Sequence, residues 1–141
     1  MGVTPARWLL DNSALSRLDR TEVEDILTPR IDDALVGVSI VTELEVGYSA
    51  RSSADYRDTR RSIVERLLPV HIPSRAESRA REVQAALVER GQHRAVSIPD
   101  LLIAATAEIE GLTVLHYDAD FDLIADITGQ PCEWIVERGT I

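Results

Sequence analysis

The chain has 141 residues, the length of one domain, and its 45% apolar and 28% charged content is that of a globular protein with its own core. Its single cysteine excludes an internal disulfide and a cysteine zinc site, and no apolar run nears the roughly 20 residues of a membrane span. The net charge of −9 argues against a simple polyanion binder, and the absence of lysine among the 15 basic residues excludes chemistry built on a catalytic lysine.

Along the chain the hydrophobic period switches repeatedly between strand and helix. Trp8, Leu9 and Leu10 read as a short strand ending on Asp11. Helix is expected from Ser13, and again over 21–31, with Thr21 as N-cap and Glu24 completing a capping box. Residues 34–40 (ALVGVSI) have the length and β-branching of a buried strand. Helices are expected over 42–50 and 55–68, the second stopped by Pro69, with a short strand over 70–72. Residues 74–90 read as a charged amphipathic helix closed by Gly91. Pro99 suits the first turn of a helix that runs to Glu110 and closes on Gly111. Residues 113–116 (TVLH) read as strand, 121–127 as a short helix and 133–136 as a last strand. This alternation predicts a single α/β domain over 1–141, its parallel sheet covered on both faces. The first ten residues lack the apolar stretch of a secretory signal, so a soluble, cytoplasmic protein is expected.

In parallel sheets functional groups gather beyond the carboxyl ends of the strands. Asp11 and Asp118 directly follow strands, while Glu43 and Asp100 fall in the first turns of helices. Each has an ordinary explanation. Glu43 and Asp100 complement a positive helix N-terminus, Asp11 caps the helix after it, and Asp118, Asp120 and Asp122 form a solvated turn. Four carboxylates converging on one edge would nevertheless repel one another unless a cation neutralised them. Oxygen-only ligation suits Mg²⁺ or Mn²⁺ rather than zinc, and such a centre activates water for phosphodiester cleavage. His71, His93 and His116 have no metal-binding spacing, and GxSxG, P-loop and GxGxxG motifs are absent. Ser13 has no histidine placed as its base. Residues 51–94 carry ten arginines against six acids, a basic middle on an acidic body.

The segments LLDNSALSRL from Leu9, VTELEVGYSAR from Val41, IPDLLIAATAE from Ile98 and LHYDADFDLIA from Leu115 together resemble the PIN-domain ribonucleases. Their order over the whole chain resembles the VapC-type toxins of bacterial type II toxin–antitoxin pairs in particular. The resemblance implies a three-layer α/β/α fold around a mostly parallel sheet of about five strands. It also implies that Asp11, Glu43, Asp100 and Asp118 bind Mg²⁺ or Mn²⁺, with Ser13 as a supporting hydroxyl and Asp120 as a more variably used acid. His116 departs from the pattern, since many members carry threonine two residues before the fourth aspartate; it either packs or approaches the phosphate.

The implied reaction is endonucleolytic hydrolysis of RNA by a metal-activated water, leaving a 5′-phosphate and a 3′-hydroxyl. Arg51, Arg57, Arg60 and Arg61 are candidates to hold the RNA backbone, unless they pair instead with Asp55, Asp58 and Glu65. The resemblance further implies neutralisation by a small antitoxin, often through an arginine entering the acidic pocket, and a homodimer. Val41, Leu44, Val46 and Tyr48, or apolar faces within 54–68, would supply the dimer surface unless they belong to the core. Transfer RNA and ribosomal RNA are both compatible targets. The alternatives are a PIN-fold nuclease for RNA processing or structured DNA outside a toxin pair, and a catalytically inert interaction domain. A phospho-accepting receiver domain would need the lysine this chain lacks.

Overall fold

The computed structural model describes residues 5–141. Five strands, β1 (Trp8–Leu10), β2 (Val36–Val38), β3 (Leu68–Pro69), β4 (Thr113–His116) and β5 (Cys132–Trp134), form one parallel sheet in the order β3-β2-β1-β4-β5. The helices are α1 (Asn12–Leu15), α2 (Thr21–Asp32), α3 (Ile40–Tyr48), α4 (Ser53–Ser62), α5 (Ser74–Glu89), α6 (Ile98–Glu110) and α7 (Asp120–Thr128).

Alternation along the strands builds two cores. Leu9 of β1 and Val114 of β4 point to one face, where they meet Val83 and Leu87 of α5, Ile103 and Ala107 of α6, and Phe121 and Ile124 of α7. The next residues along, Leu10 and Leu115, point to the other face with Val36 and Val38. There they bury Ala14 and Leu15 of α1 and the Val23, Leu27 and Ile31 stripe of α2, spaced by four as one helical face requires. The three-layer α/β/α architecture follows. The chain winds outward from β1 to β3, then crosses back to place β4 on the other side of β1. The β1–β4 boundary is therefore the topological switch point, where a crevice opens beyond the carboxyl ends of the strands. Among the described residues no helix is long and apolar enough to cross a membrane.

Several boundaries differ from the sequence expectation. Thr21 is already inside α2, whose N-cap is Arg20 with no side-chain bond, so the expected capping box does not form. The 34–40 strand shrinks to Val36–Val38, because Ser39 caps α3 by accepting from the Val41 N–H, and Ala34 is left-handed at φ 56°. The 55–68 helix ends at Ser62, a single 3₁₀ turn follows over Val64–Arg66, and Leu68–Pro69 pairs with β2 in place of the expected 70–72 strand. Pro69 is accommodated there because β3 is an edge strand. The last strand lies one residue earlier than expected at its start, and two at its end.

Gly37 is required by close approach. A Cβ placed there would lie 2.5 Å from Val70 Cγ2 and 3.3 Å from the Leu68 carbonyl oxygen. Gly37→Ala is expected to lower stability by about 1–3 kcal/mol through overpacking between β2 and β3. An unchanged urea midpoint and slope would refute this.

Candidate metal centre

Each acidic group reaches the β1–β4 crevice by a separate local device. Asp11 ends β1 and caps α1, its Oδ2 accepting the Ser13 N–H at 2.9 Å, and it is only 3% exposed. Asp118 follows β4, and its Oδ1 accepts the Asp120 N–H at 2.9 Å. Asp100 sits in the first turn of α6, held by its N–H to the Ser97 hydroxyl at 3.3 Å, and is 6% exposed. Asp120 opens α7 and accepts the Ser97 N–H at 3.2 Å. Asp100, Asp118 and Asp120 each offer a carboxylate oxygen within 4.8 Å of the others.

The electrostatics show the strain of this convergence. Burial, the adjacent Asp120 side chain, and the charges of Asp11 and Asp118 push the Asp100 pKa up to about 9. Burial first, and then Asp118, raise Asp11, although its bonds to Ser13 oppose the shift. Three or more carboxylates thus crowd a low-dielectric crevice, and among the described residues none of Asp11, Asp100, Asp118 and Asp120 forms an ion pair, the arrangement an oxygen-ligated divalent cation relieves.

The helix α3 brings a fifth carboxylate that sequence reasoning did not choose. Thr42, fully buried, donates to the Leu10 carbonyl at 3.1 Å, directly before Asp11. Three residues on, Glu45 shares that helix face. Its Oε1 is buried without a hydrogen-bond partner among the described residues, and burial followed by the Asp11 charge raises its pKa. Glu43 lies two residues earlier, a rotation that turns it away from Glu45's face. Its carboxylate meets Arg60 Nη1 at 3.1 Å and lines a different cavity, of about 500 Å³, with Arg60, Asp55 and Asn12. The expected place of Glu43 beside Asp11 is thus corrected to Glu45. The signal was present in the sequence as a threonine and a glutamate three apart.

Residues 8–127 match the PIN domain model. The chain belongs to the PIN domain family. Over 137 residues it is 50% identical to "Ribonuclease VapC2" of Mycobacterium tuberculosis, covering 96% of this chain and 97% of that protein. It is 46% identical over 134 residues to "Ribonuclease VapC21" of the same organism, covering 95% and 97%. Among solved structures it is similar to VapBC2 from Rickettsia felis bound to a promoter DNA fragment, with a TM-score of 0.76, 16% identity, and 90% and 98% of the two chains covered.

In this PIN domain Ser13 does not act alone. Its N–H binds Asp11 and its hydroxyl accepts the Tyr117 N–H at 2.9 Å, so one serine ties the ends of β1 and β4 together. His116 is fully buried, with ring centroids 4.9 Å from Phe121 and 5.0 Å from Trp134. Burial lowers its pKa to about 4, and its Nδ1 accepts the Asp118 N–H at 3.1 Å. A neutral imidazole fixed in this way packs and also orients the Asp118 backbone. Of the four arginine candidates, Arg60 is engaged by Glu43; among the described residues the side chains of Arg51, Arg57 and Arg61 form no ion pair with Asp55, Asp58, Glu65 or any other acid.

Proposed function

We propose that this PIN domain is a Mg²⁺- or Mn²⁺-dependent endoribonuclease, the toxin of a cytoplasmic toxin–antitoxin pair, held inactive by a cognate antitoxin. The observation that carries the reading is the crevice in which Asp100, Asp118 and Asp120 converge beside buried Asp11 and the partnerless Glu45 oxygen. Close relatives named as ribonucleases, and VapBC complexes among the structural neighbours, support the substrate and the partner.

The residues present fit a hard divalent cation: every donor is an oxygen, and the buried Glu45 oxygen has no hydrogen-bond partner among the described residues. Asp11, Glu45, Asp100 and Asp118 would hold it, with Asp120 at the margin. Once bound, such an ion lowers the pKa of water and offsets charge on the reacting phosphate. The chain's own part is preorganisation. Ser97 fixes Asp100 and Asp120, Ser13 fixes Asp11 against β4, and His116 fixes Asp118. Asp100 must give up its proton for the centre to form. Hydrolysis through water would leave a 5′-phosphate and a 3′-hydroxyl, on a transfer or ribosomal RNA loop.

The homodimer is part of the same reading. Ile40, Leu44 and Tyr48 recur every fourth residue on the outer face of α3 and are 50%, 65% and 93% exposed, whereas Val41 and Val46 pack against the two cores. That exposed stripe suits a second copy.

The test is cleavage of total RNA by purified protein, free of antitoxin, with Mg²⁺ or Mn²⁺. Discrete fragments with 5′-phosphate ends are expected, lost with EDTA and reduced by well over about 100-fold in Asp100→Asn, since even supporting residues of metal sites cost up to that much. Cleavage that persists in EDTA would overturn the metal mechanism. No cleavage by folded protein would favour an inert interaction domain.

A further inference from the structure

A second cavity, of about 500 Å³, borders the carboxylate crevice: its walls include Asp118 and Ser13, whose N–H binds Asp11. Its other walls are Arg17, Tyr117, Trp134 and Arg138. The two rings meet edge to face, with centroids 5.3 Å apart and planes at 85°. Arg17 Cζ lies 4.6 Å from the Tyr117 centroid, and Arg138 Cζ lies 5.6 Å from that of Trp134. Both aromatic groups are anchored from behind. The Tyr117 hydroxyl accepts the Gly139 N–H and donates to the Ile141 carbonyl, and the Trp134 indole donates to Asp122. Among the described residues neither Arg17 nor Arg138 pairs with a carboxylate; Arg17 spends one N–H on the Ser13 carbonyl.

We propose that this cleft is a subsite for single-stranded RNA beside the cleaved bond, in which Arg17 and Arg138 hold phosphates and the Tyr117–Trp134 pair supports a base. The inference rests on the nuclease reading and adds to it how a chain of net charge −9 keeps a polyanion on an acidic centre. A strand entering that centre is repelled by the carboxylates except where a neighbouring positive charge offsets them. Two unpaired guanidiniums, fixed over aromatic faces at the edge of the crevice, meet that need. Cation and ring together form the platform that sequence-tolerant single-strand binding uses. The basic helix α4 offers a weaker case, because Arg60 is already neutralised by Glu43 and, among the described residues, no comparable ring pair accompanies it.

The test uses the inactive Asp100→Asn chain and a fluorescein-labelled, mixed-sequence RNA of about 12 nucleotides, followed by anisotropy over a range of salt concentrations. Arg17→Gln/Arg138→Gln is expected to weaken binding about tenfold and to flatten the plot of log affinity against log salt by about 1.4, for two phosphate contacts. Arg138→Gln alone, at an exposed site, should give about half of that slope change, so the result survives any local disturbance from losing the Arg17 bond. A double substitution of equal charge on α5 and its C-cap, Arg81→Gln/Arg90→Gln, sets the background. In a Trp8→Phe variant, Trp134 fluorescence should be quenched as RNA binds. Affinity and slope matching the α5 background overturn the subsite. If the unsubstituted chain still cleaves RNA in a metal-dependent way, the nuclease reading stands without it. An unsubstituted chain that neither cleaves nor binds RNA sinks both.

Discussion

Glu45→Gln is expected to lower metal-dependent RNA cleavage by more than about 100-fold, while Glu43→Gln leaves it within about threefold of the parent. The two glutamates lie two residues apart on α3 and differ in what surrounds them. Glu43 has a partner in Arg60 at 3.1 Å, with both side chains partly exposed, so its loss removes a pair worth at most about 1 kcal/mol. Glu45 has a buried oxygen without a partner and feels the Asp11 charge. The stability of the metal-free protein separates site loss from misfolding. Burying the Glu45 charge costs free energy, so Glu45→Gln should hold or raise the melting temperature while activity falls. Equal loss of activity in both variants, or greater loss in Glu43→Gln, would reassign the ligand.

That pair of residues also marks how far the sequence could be read. Strands and helices bounded by strong local signals stand where they were expected: TVLH is β4, and the helix between Pro99 and Gly111 is α6, with Gly111 left-handed at φ 72°. The parallel three-layer arrangement followed from alternation alone. The failures arise where a tertiary partner overrides local preference. Periodicity carried a helix through 55–68, yet Leu68 and Pro69 gain more by pairing with the open edge of β2. On α3 the run IVTELEV hides the helix start: Ser39 caps the helix, which begins at Ile40, two residues before the expected Thr42. Thr42 then turns inward to bond the end of β1, and the face it selects carries Glu45. The convergence of Asp11, Asp100 and Asp118 was readable because each stands at a strand end or helix start, positions that topology sends to one edge. The juxtaposition of Arg17, Tyr117, Trp134 and Arg138 around one cavity was not, since they come from three distant segments and share no spacing.

Without metal, the protein is expected to lose stability as pH rises from about 6.5 to about 9, and divalent metal should restore it most at the alkaline end. The sign follows from the direction of each shift. Asp100 is held at about 9 when folded, against an ordinary carboxylate value of 3.8, with burial as the largest cause. The folded protein thus retains a proton that the unfolded chain releases. The stability this confers is complete below the unfolded value and disappears as pH climbs through the folded one. Asp11 and Glu45, both raised, act in the same direction. His116 acts oppositely, because burial lowers it from 6.5 to about 4, and its contribution is lost as pH falls through that interval. Above about 6.5 the imidazole is neutral in both states, and the carboxylate slope stands alone, approaching about 1.4 kcal/mol per pH unit for one proton. A cation held in the crevice would replace that proton. Its stabilising effect must therefore grow with pH, and its binding must release a proton, visible as a calorimetric enthalpy that changes with the ionisation enthalpy of the buffer. Asp100→Asn should flatten both dependences. Melting temperatures in EDTA that stay level from about pH 6.5 to 9, with a metal-induced rise independent of pH, would show that the crowded carboxylates titrate as ordinary surface acids and that no cation is needed to hold them together.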